Sequence, residues 1–131
     1  MNREQTIDKQ LSLLKAIWRR NKSGYVFLPF IPHDHARGPE RKTSLRNGPA
    51  FKIGEWDRIR SHLDDHYRDE LYFAPMVFTG PRRRREYASL CARLWADLDA
   101  IDPAGIPADL TPNILWETSP GRYAGVWFMV S

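Results

Sequence analysis

The sequence predicts an α+β fold with a largely antiparallel sheet, and three observations carry that expectation. Apolar side chains near the N-terminus recur at helical spacing. Further along, short runs rich in aromatic and β-branched residues stand between Gly and Pro. The chain closes on two such runs around a Pro-Gly turn, the pattern of a β-hairpin. With 131 residues, of which 42% are hydrophobic and 12% aromatic, a single domain with a real core is expected rather than a disordered chain.

From Arg3 to about Arg20 the residues Ile7, Leu11, Leu14 and Trp18 are spaced by four, three and four, which lines one face of a helix, and Leu13 and Ile17 widen the stripe. "GYVFLPFIP" (24 to 32) is apolar and bounded by Gly24 and Pro32, as a buried strand is. "HDHARGPERKTSLRNG" (33 to 48) is polar and broken by Gly and Pro, so a long surface loop is expected. "AFKI" (50 to 53) predicts a short strand, and the stretch after it places Trp56, Ile59 and Leu63 on one face of a second helix. "LYFAPMVFTG" (71 to 80) predicts a strand with Pro75 at a bulge or edge. "LCARLWADLD" predicts another, followed by the Pro-rich connection "AIDPAGIPADLTP"; "NILWETS" and "YAGVWFMVS" around "PGR" complete the hairpin. A strand running to Ser131 leads us to expect the N-terminal part of a larger unit.

Lys and Arg number 20 against 16 Asp and Glu, a net charge of +4 that favours an anionic partner. Cys91 is the only cysteine, so an internal disulfide and a Cys-rich zinc site are excluded, and a small buried apolar role is expected for it. No apolar stretch nears the roughly 20 residues needed to cross a bilayer, and the N-terminus lacks a signal-peptide core. A cytoplasmic protein without membrane contact is the expectation. No Walker-type stretch and no Ser-His-Asp arrangement can be assembled.

The most chemically suggestive residues are Asp97 and Asp99. On a strand they emerge on one face with Trp95, while Leu94, Ala96 and Leu98 face the other way. Two carboxylates at this spacing suit a hard divalent cation, Mg²⁺ or Mn²⁺. They equally suit a strand end that caps a turn, a place Asp often fills. In chain order, "WADLDA", a short Pro-rich loop and then "WETSPGRYAGVWF" resemble the first two motifs of the archaeo-eukaryotic primase superfamily, in particular phage and plasmid primase-polymerases and RepB-like DNA primase domains.

The resemblance covers about residues 24 to 131 and implies a helix and strand module, about 1 to 90, joined to the start of a catalytic sheet of RNA-recognition-motif type, about 91 to 131. It implies a DNA primase or primase-polymerase acting in DNA replication. Asp97 and Asp99 then bind the catalytic metals, Mg²⁺ or Mn²⁺, and Ser119, Gly121 and Arg122 hold the triphosphate of the incoming nucleotide. Its partners are nucleoside triphosphates and a single-stranded template with its primer; a helicase motor, where one takes part, lies beyond Ser131 or on another chain. The chain departs from the pattern in two places. Ala124 follows Tyr123 where the family commonly has His, and the third carboxylate, expected downstream, is missing, so this chain alone is expected to be inactive. A non-catalytic nucleic-acid-binding replication protein derived from such a primase is the alternative; a purely structural α+β domain is a third reading.

"PRRRRE" sets Arg82, Arg83, Arg84 and Arg85 just before the aspartate strand, as a track for a nucleic-acid backbone or as a solvated loop. Arg37, Arg41, Lys42 and Arg46 in the long loop add to that basic surface. His33 and His35 are expected to be exposed loop histidines rather than metal ligands. Trp95, Trp116 and Trp127 suit base stacking, though packing against a sheet is the commoner use of strand aromatics.

Overall fold

The computed structural model describes residues 1–19, 21–88, 93–98 and 101–128, with the side chains of Lys42, Arg93 and Leu94 excepted. Its architecture is α+β, and every strand pair among the described residues is antiparallel. Two compact units follow one another along the chain, Met1–Ser89 and Leu90–Ser131.

The first unit is built on two helices, α1 (Arg3–Trp18) and α2 (Trp56–Asp65). Asn2 opens α1 with a capping box: its side chain accepts from the Gln5 N–H, and the Gln5 side chain accepts from the Asn2 N–H, so two otherwise unpaired amides are satisfied. The helical stripe read from the sequence buries Ile7, Leu14, Ile17 and Trp18, and α2 buries Ile59, His62 and Leu63. The two helices meet where Trp18 and Trp56 stack 6.4 Å apart, with ion pairs from Arg60 to Asp8 and from Arg3 to Asp64 on the rim.

Residues 24 to 32 form two strands rather than one. β1 (Tyr25–Val26) pairs with β3 (Phe51–Lys52), and β2 (Phe30–Ile31) pairs with β4 (Glu70–Leu71). Val26, Phe27, Leu28 and Pro29 are buried in succession, so the stretch has the composition of one core strand, but Pro29 has no N–H to carry a ladder through. The run 71 to 80 likewise contributes only Leu71 to a strand. Beyond it Phe78 makes isolated bridges to Tyr25 and Ala88, while the Ala74 carbonyl accepts from the Trp18 indole. Pro75 interrupts the pairing between them. The 33–48 loop holds a single 3-10 turn, Arg41–Thr43, and returns to the sheet through paired hydrogen bonds of 2.9 Å between Phe30 and Arg46.

The second unit is one three-stranded sheet, β5 (Arg93–Leu98), β6 (Ile114–Ser119) and β7 (Arg122–Phe128), in the order β5-β7-β6. The connection from β5 to β6 includes two 3-10 turns, Pro103–Gly105 and Ala108–Leu110. It crosses one sheet face, where the Trp127 indole donates to the Leu110 carbonyl at 2.8 Å and Pro112 is buried against Gly125. A Cβ on residue 125 would stand 3.1 Å from the Pro112 ring, so a glycine lets the connection lie close to the strand.

Candidate functional site

The β6–β7 hairpin turns on Pro120 and Gly121. Gly121 has φ 76°, as the second central residue of a type II turn requires, and Pro120 supplies the fixed φ before it. Such a turn does not match the twist of a two-residue hairpin, and the pairing compensates with a shift between Glu117 and Ser119 that leaves Thr118 as the extra residue. The Thr118 hydroxyl donates to the Arg122 carbonyl at 3.3 Å and steadies the bulge. Ser119 and Arg122 pair directly across the turn.

Side chains of directly paired residues in an antiparallel sheet share a face, and faces alternate along each strand. Asp97 pairs with Ala124, which pairs with Trp116; Trp95 pairs with Val126, which pairs with Ile114. Arg122 lies two residues before Ala124 on β7. One face therefore carries Asp97, Arg122 and Ser119 at the hairpin end, with Trp95, Trp116, Ile114 and Val126 further along. Asp97, Ser119 and Arg122 are exposed, and Trp95 keeps 42% of its surface. A diagonal neighbour such as Arg122 is about 7–8 Å from Asp97 between Cα atoms, within reach of a long side chain or a shared ligand. The opposite face holds Ala96, buried Leu98, Tyr123 and Glu117, with the connection over Gly125. There a hydrogen bond from the Tyr123 phenol to Glu117 pushes the phenol pKa up, since ionisation would set two negative charges together.

Trp95 and Asp97 are exposed on one face and Leu98 is buried on the other, as expected, so the Asp97 face is open at the edge strand and hairpin end, while Ala124 and Val126 at its centre are buried. Asp99 lies outside the described residues, as does Cys91, so neither is placed. Ala124, the position where the resembled family has His, is the direct cross-strand neighbour of Asp97 and is buried. A methyl group thus stands beside the carboxylate where an imidazole would otherwise lie. The oxygens of Asp97 suit a hard cation, but among the described residues no three His, Cys, Asp or Glu side chains come together as metal ligands. One described carboxylate falls short of a metal site.

The basic residues divide. Arg82, Arg83, Arg84 and Arg85 are all exposed. Arg83 donates to the neutral Asn47 side chain at 3.0 Å, and no described residue bonds to the side chains of Arg82, Arg84 or Arg85. Among the described residues, four guanidinium charges are thus left without a carboxylate. Arg41, by contrast, is held by Glu70 at 2.9 Å and by the Tyr72 hydroxyl at 3.1 Å, and the Lys42 side chain lies outside the described set. Arg46 is exposed on the bridge to Phe30, and Arg37 is exposed in the same loop. Trp116 is half-buried on the open face, and Trp127 is committed to packing through its indole bond.

The structure also links His62 and His66, which the sequence did not single out, to the loop residue His33 through Asp69. Asp69 accepts from the His33 main-chain N–H at 2.9 Å and from the His66 ring at 2.7 Å, and the His33 ring lies 3.6 Å away. Burial opposes the charged form of Asp69, yet the His66 and His33 hydrogen bonds outweigh it and hold the carboxyl pKa below its ordinary value. His66 stacks on Phe30 at 3.8 Å and stands 4.4 Å from His62. His62, 7% exposed, donates from Nε2 to the Leu28 carbonyl at 3.0 Å, and burial pushes its pKa down. The sequence signal was the spacing of four between His62 and His66, which puts both on one side of α2 and the turn after it. His35, the other loop histidine, is bonded to Ser44 at 2.8 Å. Compared with family models, curated proteins and solved structures, the chain matched none.

Proposed function

We propose that this chain is part of a template-directed nucleotidyltransferase of the primase-polymerase kind, with the open face of the three-stranded sheet as its nucleotide site. The observation that carries the reading is the register, which sets Asp97, Ser119 and Arg122 on one face at one end of the sheet, around a glycine turn. Arg122 is suited to pair with phosphate oxygens and the Ser119 hydroxyl to donate to them. Trp95, partly exposed on the same face, offers a surface on which a base stacks. The arginines from Arg82 to Arg85, which have no carboxylate partner among the described residues, supply sequence-independent attraction for a nucleic-acid backbone. Mg²⁺ or Mn²⁺ is the cofactor this reading requires, and when bound it neutralises the phosphate charge that develops on transfer.

The test is template-dependent incorporation of a labelled nucleotide on a primed strand with Mn²⁺, by the longest natural protein that carries this chain, before and after the double change Asp97→Ala and Asp99→Ala. Loss of at least a hundredfold is expected. Unchanged incorporation in the double variant removes the assignment. A second reading, a non-catalytic nucleic-acid-binding protein derived from such an enzyme, is favoured by one observation, the buried methyl of Ala124 beside Asp97. It predicts oligonucleotide binding without incorporation.

A further inference from the structure

We propose that a cleft built wholly from the first unit binds a nucleotide unit, its phosphate at the rim and its flat ring against the wall. The cleft has a volume of about 590 Å³, within the roughly 300–1,000 Å³ typical of small-ligand sites. Its wall is fixed by pairing: Tyr25 on β1 pairs with Lys52 on β3 and bridges to Phe78 on its other side, so the three share one face. Val77 and Phe78 are buried and give that wall an apolar base, while Lys22, Ser23 and Lys52 are exposed at the rim. Among the described residues, no carboxylate lines the cleft.

Two features make the rim suited to an oxyanion. Neither Lys22 nor Lys52 forms an ion pair with a described residue, and Glu55, whose carboxylate feels Lys52, is already held by Arg58 and by the Lys52 main-chain N–H. The main-chain N–H groups of Lys22, Ser23 and Gly24 have no acceptor among the described residues, although Asn21 and Tyr25 on either side donate to Trp18 and Phe78. Three successive amides with no described acceptor, beside two ammonium groups, are the donors that a phosphate accepts from. The backbone reaches this position because residue 24 is glycine: its φ is 119°, and a Cβ would meet Val77 Cγ1 at 2.4 Å. An inorganic anion would use the rim alone, and an uncharged ring the wall alone. A nucleotide uses both. Two sources share that chemistry, a free nucleoside triphosphate and one unit of a single-stranded nucleic acid.

The proposal goes beyond the sheet-face reading and uses none of its residues. Its test is a residue-resolved titration of the ¹⁵N-labelled chain at low salt with ATP, with a short oligo(dT) and with inorganic phosphate. Shifts at the Lys22, Ser23 and Gly24 amides are expected with ATP or oligo(dT), the tighter of the two naming the source, and phosphate is expected to need at least tenfold more. The paired charge reversals Lys22→Glu and Lys52→Glu, both at exposed positions, should weaken binding at least tenfold with an unchanged melting temperature. Asp97→Ala should leave cleft binding within twofold, so failure here and failure at the sheet face are separable. The proposal is overturned by any of three results: those amides move with neither ATP nor oligo(dT), phosphate binds as tightly as ATP, or the reversals leave affinity unchanged.

Discussion

His62→Phe separates two contributions that the first unit places on one side chain. The imidazole donates to the Leu28 carbonyl at 3.0 Å, and both residues are buried, so removing the donor leaves a carbonyl without water or partner. That costs about 1–3 kcal/mol near neutral pH. A phenyl ring retains much of the edge contact with Phe51, 5.2 Å away, and with Phe30 at 5.8 Å, so little of the loss should come from packing. The second contribution depends on pH. Burial lowers the His62 pKa below its ordinary value, so the unfolded chain takes up the proton first. Stability from the neutral ring is therefore complete above about pH 6.5 and is lost as pH falls below it. Urea denaturation midpoints at intervals from about pH 8 to about pH 5 read both terms. The native protein should lose stability through this range, and the variant, weaker at neutral pH, should lose less, so the two curves converge toward acid. Parallel curves would refute the assignment of that pH dependence to His62.

Asp69→Asn should cost about 1–3 kcal/mol near neutral pH, because the His66 and His33 bonds lose a charged acceptor; in the native protein this contribution is present above about pH 4 and is lost as pH falls through the lowered pKa, which acid titration of the two proteins compares. Gly121→Ala should cost about 1–2 kcal/mol through backbone strain alone, since no described atom lies within 4 Å of the added carbon, and Gly24→Ala should cost more because Val77 blocks it; thermal melts order the pair. Replacing Arg82, Arg84 and Arg85 with Gln should weaken single-stranded DNA binding and lower the slope of log affinity against log salt by about two units, read by fluorescence anisotropy across a salt series. An unchanged slope would show that these arginines touch no phosphate.

Elements whose packing is local were legible in the sequence. The α1 stripe, the α2 stripe and the β6–β7 hairpin each carry their own period and their own stop signals, and each is present where that pattern lies. The stretch 24 to 32 was not resolved because Pro29 divides it between two partners, β3 and β4, that lie far away in sequence. For the same reason the run from 71 to 80 looked like a strand: Val77 and Phe78 are apolar for the core, while the backbone around Pro75 answers to Trp18. At the candidate site, alternation alone placed Trp95 and Asp97 on the open face. It took the register to show that Ala124 is the neighbour of Asp97, and that the bulge at Thr118 turns Ser119 to the same side. The His62–His66–Asp69 group and the Lys22–Lys52 cleft depend on contacts between separate elements, which periodicity does not report.

The central claim, that Asp97 and Arg122 border one nucleotide site on the open sheet face, is tested most directly with paramagnetic Mn²⁺ and ATP on the ¹⁵N-labelled chain. Mn²⁺ broadens the signals of nearby nuclei, so the account expects the amides of Trp95 to Leu98 and of Arg122 to Ala124 to broaden together, and to recover in Asp97→Ala and in Arg122→Ala. Signals on that face that stay sharp while Mn²⁺ and ATP broaden others would contradict it.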